Sequence, residues 1–371
     1  MRIYLDNNAT TAIHPDVLST LDGALRETFG NASSIHREGQ AARRLIEHAR
    51  ESVAHLVGAT ARDVVFTSGG TESNNAAIFG AVSPSERSHI VTSQIEHPSV
   101  AEAFRELERR GHSVTRVAPS RSGEVSAASV LEALRDDTRL VAVMLANNET
   151  GVVQPLAAIG AACRQRGVHF HVDAVQAAGK IPISVDDLGC DTLALSAHKL
   201  HAPKGIGALY VRRGLSLGPL LHGGAQERRR RAGTENVPLA AAFGVAAALP
   251  TAAAQMETLR DAFESEVRAA ALDVTVNGAD ARRLPNTSNI TFHRADGEGI
   301  VIALDLSGVA ASTGSACSSG RVEPSPVLLA MGLSPDDARS TVRFSLSRFT
   351  TADEVDRVAE LLAELVPRCI R

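Results

Sequence analysis

The sequence predicts an α/β fold built on a largely parallel sheet with helices over both faces. Two observations carry this expectation. From Arg62 onward short β-branched runs alternate with segments of helical period, and a hydrophobic share of 44% against 22% charged is that of an ordinary globular chain. Asp63 to Thr67, His89 to Ser93, Ser113 to Val117, Leu140 to Leu145, His169 to Asp173 and Thr192 to Ser196 read as strands. Amphipathic segments at Pro98 to Arg110, Ser129 to Arg135 and Leu156 to Arg166 lie between several of them.

The 371 residues suit two domains at roughly 150 residues each. After Arg213 the character changes: a Gly- and Arg-rich loop leads into an Ala-rich helix from about Pro238. A strand-like Asn289 to His293, a helical Val327 to Met331, a strand at Val342 to Leu346 and a final helix from Ala352 to Leu365 follow. The expected division is a large body of residues 15–250, and a smaller α/β body of residues 251–371 joined by residues 1–14. No apolar run reaches the roughly 18 residues of a membrane span, the stretch from Leu239 being cut by Gly244 and Pro250. The opening residues lack the apolar region of a signal peptide, so the expected compartment is the cytoplasm.

A net charge of −4, with 10 Phe, 2 Tyr and no Trp, disfavours a dedicated nucleic-acid binder, which needs a basic face and stacking rings. Cys163, Cys190, Cys317 and Cys369 form no Cys-x-x-Cys pair, so neither zinc nor a disulfide framework is expected. Of the 38 basic residues only Lys180, Lys199 and Lys204 are lysines. A lysine kept against that bias suits a position needing an amine that can lose its proton and attack a carbonyl. Lys180, in Ala-Gly-Lys-Ile-Pro, reads as chance survival; Lys199 and Lys204 invite the chemical reading.

The strand ending at Thr67 runs into Ser68-Gly-Gly-Thr-Glu-Ser-Asn-Asn and then an apolar helical stretch. Glycines admit an anion close to the backbone and a helix N-terminus points N–H groups at it, so the turn reads as a phosphate cradle or a plain helix cap. It lacks the lysine and glycine spacings of nucleotide-binding loops. Asp173 ends one strand and Ser196-Ala-His-Lys199 ends another, at the sheet edge where ligands of parallel sheets gather. Amine, acid and phosphate donors together match the needs of pyridoxal phosphate: an imine partner, a partner for the pyridinium nitrogen and a phosphate seat. His97 before Pro98 also reads as a helix opener, and Arg228 to Arg231 as a solvated loop.

In chain order, Tyr4-Leu-Asp-Asn-Asn-Ala-Thr-Thr, Thr67-Ser-Gly-Gly-Thr-Glu-Ser-Asn-Asn, Glu96-His97-Pro, Asn147-Asn148-Glu-Thr-Gly, Val172-Asp173-Ala-Val-Gln176, Ser196-Ala-His-Lys199 and Gly314-Ser-Ala-Cys317-Ser-Ser-Gly resemble the pyridoxal-phosphate-dependent cysteine desulfurases. These belong to the class V aminotransferase family, and the Ser-Ala-Cys form resembles the nitrogen-fixation and iron-sulfur-assembly branch. The resemblance extends to the block from Arg343 to Thr350. It implies a fold-type-I transferase: a large domain with a mostly parallel seven-stranded sheet, and a smaller C-terminal α/β domain carrying the cysteine loop.

The resemblance also assigns roles. Lys199 bonds to the cofactor, Asp173 holds its ring nitrogen protonated, Gln176 reaches its phenolic oxygen and His97 stacks on the ring and moves protons. Gly70, Thr71, Ser196 and His198 hold the phosphate, joined by Thr234 of the opposite subunit of a homodimer. Asn148 and Arg343 bind the substrate carboxylate, with Asn148 also near the cofactor. L-cysteine becomes L-alanine, a persulfide forms on Cys317, and an iron-sulfur scaffold or a tRNA-thiolation protein accepts the sulfur. No metal, membrane or direct nucleic-acid partner is implied. The small neighbours of Cys317 independently suit a thiol that must move, whereas Cys163, Cys190 and Cys369 read as packed thiols. The alternatives are a selenocysteine lyase or aminotransferase on the same fold, and a non-catalytic scaffold that kept it.

Overall fold

The computed structural model describes residues 2–83, 86–270, 272–313 and 323–370. Cys317 and its loop lie outside the described residues. The strands are β1 (Ile3–Tyr4), β2 (Val64–Thr67), β3 (His89–Ser93), β4 (Ser113–Val117), β5 (Thr138–Ala142), β6 (His169–Asp173), β7 (Thr192–Ser196), β8 (Gly207–Val211), β9 (Val274–Val276), β10 (Thr287–Phe292), β11 (Val309–Ala310) and β12 (Thr341–Ser345). Seven of them form one sheet in the order β2-β8-β7-β6-β5-β3-β4. Pairing is parallel from β7 through β6, β5 and β3 to β4, while β8 runs antiparallel to both its neighbours. The central strands β6, β7 and β8 are buried at every position, as strands covered on both faces must be.

β3, β4, β6 and β7 fall where the residue pattern puts them. The run expected at Leu140 to Leu145 is instead a strand at Thr138–Ala142. Val143 to Leu145 are apolar because they are buried beneath the cavity, and they keep backbone bonds to His171 and Asp173 without continuing the ladder. The helix expected at Ser129 to Arg135 is Ala127–Glu132. Two helices, Pro15–Glu27 and Arg37–Leu56, precede the region where the alternation begins. Their caps are His14 and His36, whose ring nitrogens accept from the N–H of Asp16 and Gly39, in place of the usual hydroxyl or carboxylate caps.

A large apolar cluster under the seven-stranded sheet includes Ile46, Val53, Phe170 and Phe243. Val327, Leu328 and Met331, late in the chain, pack into the same cluster. A second cluster gathers Leu5, Phe263, Phe292, Phe344 and Leu362 around β12-β10-β9. Parallel pairing of β1 with β11 brings the N-terminal residues to this second body. Among the described residues no single helix is long and apolar enough to cross a membrane.

Candidate active site

At the carboxyl ends of β6 and β7 lies a cavity of about 240 Å³. Its wall combines groups from four elements. The helix Gly70–Ala81 begins there with Gly70 and Thr71, the helix Pro98–Arg109 is preceded there by its cap His97, and the strand ends supply Asp173, Ser196 and, just beyond, His198 and Lys199. Asn74, Ser99, Asn148 and Gln176 complete the polar lining. Arg343 is not in the wall but is tied to it, because its guanidinium donates to the Asn148 carbonyl at 3.0 Å and pairs with Asp6 at 2.7 Å. Thr234 is exposed and lies outside the cavity lining.

The Lys199 ammonium donates to the backbone carbonyls of Asn8 and, at 2.7 Å, Ala9. Burial pulls its proton affinity down to about 8, Arg343 acts in the same direction, and Asp6 and Asp173 oppose. This amine therefore loses its proton near neutrality far more readily than an ordinary lysine. Lys204 does not line the cavity.

Asp173 is buried, its two oxygens accepting from the Asn74 amide at 2.8 Å and from the Val175 N–H at 3.0 Å. His97 Nδ1 faces Ser99, which offers it a backbone N–H at 3.1 Å and a hydroxyl at 2.8 Å. Burial lowers the proton affinity of His97; Asp173 works against this and Lys199 with it. His198 is lowered to about 4 by burial and then by Lys199, while its Nδ1 meets the Thr10 hydroxyl at 3.2 Å. Gln176 donates its amide to the Asn8 carbonyl at 2.9 Å, and its side-chain oxygen accepts from Lys180 at 3.1 Å.

Other residues of this arrangement have no role in the sequence reading, although Asp6, Asn8 and Asn74 stand inside its motifs. Asn74 and Ser99 sit behind Asp173 and His97, Asp6 holds Arg343, and the Asn8 carbonyl accepts from both Gln176 and Lys199. Lys180, which reads from sequence as chance survival, is buried with its ammonium on Gln176. The lysine count was the available signal for it. Arg348 donates to the Pro250 carbonyl at 3.0 Å, a contact away from the cavity. Cys163 and Cys190 are buried thiols pushed up to about 12 by burial, as packed cysteines should be.

A half-buried amine and a buried carboxylate at neighbouring strand ends, facing a helix N-terminus across a polar cavity, define an α/β protein equipped for carbonyl–amine chemistry on a phosphorylated group. The chain belongs to the class-V aminotransferase family, which matches residues 3–358, and within it to the cysteine desulfurases. It is 48% identical to a cysteine desulfurase of Nostoc sp. strain PCC 7120, over 99% of this chain and 93% of that one. Among solved structures it is similar to a NifS-like protein (TM-score 0.90, 33% identity, 99% of this chain and 100% of the other). It is also similar to an SspA in complex with cysteine (TM-score 0.85, 38% identity, 95% and 100%).

Proposed function

We propose that this cysteine desulfurase binds pyridoxal phosphate in the cavity, converts L-cysteine to L-alanine and retains the sulfur as a persulfide on Cys317. The observation that carries the reading is Lys199 with its lowered proton affinity, one strand away from buried Asp173. The fit to the cofactor rests on the shape and donors of the site. A Cβ on Gly70 would meet Val175 at 2.8 Å, so only glycine leaves room where the helix begins. Thr71 and Ser196 turn hydroxyls to the cavity beside those N–H groups, with His198 next to them, a donor set suited to phosphate. Asp173 would hold the ring nitrogen, Gln176 the phenolic oxygen, and His97 the ring face.

When bound, the cofactor supplies an electron sink that makes the substrate Cα proton acidic. Lys199 takes that proton as general base. Arg343 and Asn148 hold the substrate carboxylate. The Cys317 thiolate attacks the substrate sulfur: an S–S bond forms, the Cβ–S bond breaks, the departing carbon gains the hydrogen that Cys317 lost, and alanine leaves. Sulfur is oxidised and carbon reduced in the same exchange, so no outside oxidant is needed.

The same reading takes residues 15–250 as the cofactor body, with 1–14 and 251–371 carrying the cysteine loop. It takes the chain as a cytoplasmic homodimer that passes sulfur to an acceptor protein of iron-sulfur assembly or tRNA thiolation. Leu18, Leu25, Phe29 and Ile35 expose apolar side chains, the last two at 85% and 93%, which supports a second copy covering that face. The test incubates cofactor-loaded protein with L-cysteine and counts alanine against protein persulfide. Equal amounts in the first turnover support the reading. A keto acid in place of alanine, or alanine at full rate from Cys317→Ser, would exclude it.

A further inference from the structure

On β6, His169, His171 and Asp173 occupy alternate positions and so share one face of the strand. Behind the cavity they join a hydrogen-bond chain whose direction is fixed by donor chemistry. A carboxylate only accepts, so the Asn74 atom 2.8 Å from Asp173 is the amide nitrogen. Its second hydrogen goes to the Ser99 hydroxyl oxygen at 2.8 Å. The Asn74 oxygen must then accept, which puts a proton on His171 Nε2, 2.9 Å away.

Burial lowers His171 to about 3 and His169 to about 4, so both rings are neutral. His171 Nδ1 therefore accepts from the Thr192 hydroxyl at 2.9 Å. With its one proton spent, Thr192 accepts in turn from His169 Nε2, also at 2.9 Å. At the other end, the Ser99 backbone N–H can only donate, so His97 Nδ1 carries a lone pair and takes the Ser99 hydroxyl proton as well. Turning the Asn74 amide over would set its oxygen against the Asp173 carboxylate and its NH₂ against a protonated ring nitrogen. Asn74 is 1% exposed, so water cannot repair either loss.

We propose that Asn74 is a positioning residue that couples Asp173 to His97. By donating one hydrogen to each branch it turns the Ser99 hydroxyl toward His97 Nδ1, beside the Ser99 N–H that holds the ring as the tautomer with its proton on Nε2, the nitrogen left for the cavity. Neutral His97 is then a hydrogen-bond donor toward the site, not a base awaiting a proton. The significance for catalysis rests on the roles proposed above for Asp173 and His97. The proton positions do not, and the experiment reads them directly.

Protein labelled with [15N]histidine, cofactor-loaded and cofactor-free, is examined by solid-state NMR, with resonances assigned by single histidine substitutions. Wild type should place the proton on Nε2 of His97, His169 and His171 alike. Ser99→Ala keeps the backbone N–H that holds the His97 lone pair, so it should leave all three tautomers in place and shift the His97 Nδ1 resonance alone, through loss of the hydroxyl bond. Asn74→Leu should disturb both His97 and His171; Ser99→Ala, removing one hydroxyl, keeps the test decisive if Asn74→Leu does not fold. A proton on His97 Nδ1 in wild type, or a His97 Nδ1 resonance that does not move in Ser99→Ala, overturns the proposal. Loss of alanine formation with these tautomers intact would count against the proposed function instead.

Discussion

The Lys180 ammonium lies 3.0 Å from the backbone oxygen and 3.1 Å from the side-chain oxygen of Gln176. Among the described residues it has no ion-pair partner, and burial, followed by Lys199 and Arg343, lowers its proton affinity to about 7. Between about 7 and the ordinary lysine value of 10.5 the unfolded chain binds a proton here that the folded chain does not. Stability attributable to this site therefore rises with pH through that window, on the order of 1.4 kcal/mol per unit. Lys180→Met should flatten the rise in denaturant midpoint seen for wild type from pH 7 to 10. Parallel curves would show that the amine is not desolvated as its surroundings imply.

Lys199 should be chemically separable from the other two lysines. Borohydride reduction of cofactor-loaded protein should fix the cofactor on a peptide containing Lys199. Lys199→Ala should abolish turnover, and Lys204→Arg should retain cofactor. An adduct on Lys204 would reverse the assignment.

Arg343 already spends donors on Asp6 and the Asn148 carbonyl, so its planar fork is held in place before substrate arrives. Arg343→Lys keeps the charge and loses the fork. Steady-state kinetics should show KM for L-cysteine raised roughly tenfold or more, with kcat changed less, an expectation scaled to the strength of paired carboxylate bonds. Equal KM values would remove Arg343 from substrate binding.

Thr234, exposed and outside the cavity, is assigned to the phosphate of a second subunit. Mixing two inactive variants, Lys199→Ala and Thr234→Arg, under subunit exchange should restore activity, because one site of the hybrid collects both lesions and the other none. Demonstrated exchange without recovery would sink the shared site.

The loop before Thr234 holds Glu227, Arg228 and Arg229 at φ of 44°, 58° and 65°, a left-handed run that L-residues resist. Buried Arg50 keeps it there through paired bonds to Glu227 at 2.6 and 2.9 Å. Glu227→Gln should cost up to about 3 kcal/mol, because it leaves buried Arg50 with only its longer pair to Glu47 at 3.4 Å. Arg229→Gly should recover about 1 kcal/mol by relieving one strained residue. Both are read from denaturant midpoints.

The groups that line the cavity were legible in the sequence where they stand at strand ends within short motifs, as Asp173 and Lys199 do. The groups that hold them were not. Asn74 and Ser99 are ordinary polar residues whose significance appears only when two helices and β6 converge. The early helices were missed because their caps are histidines, although Pro15 and Asp16 mark the first as plainly as Pro98 marks the helix after His97. β5 was misplaced because the apolar run Val143 to Leu145 is buried outside the ladder, and burial alone does not tell strand from loop.

Asn8 donates its N–H to the Ser345 hydroxyl, accepts from Asn286 at its side-chain oxygen, and accepts from both Gln176 and Lys199 at its carbonyl. Asp6 waits for Arg343, and β1 for β11. During synthesis, Asp6 and the Asn8 N–H must therefore wait for Arg343 and Ser345, which leave the ribosome long after the central sheet has emerged. The guanidinium tied to the cavity wall is among the last contacts to close, so a ribosome-bound nascent chain can complete its central sheet and still lack Arg343 beside it.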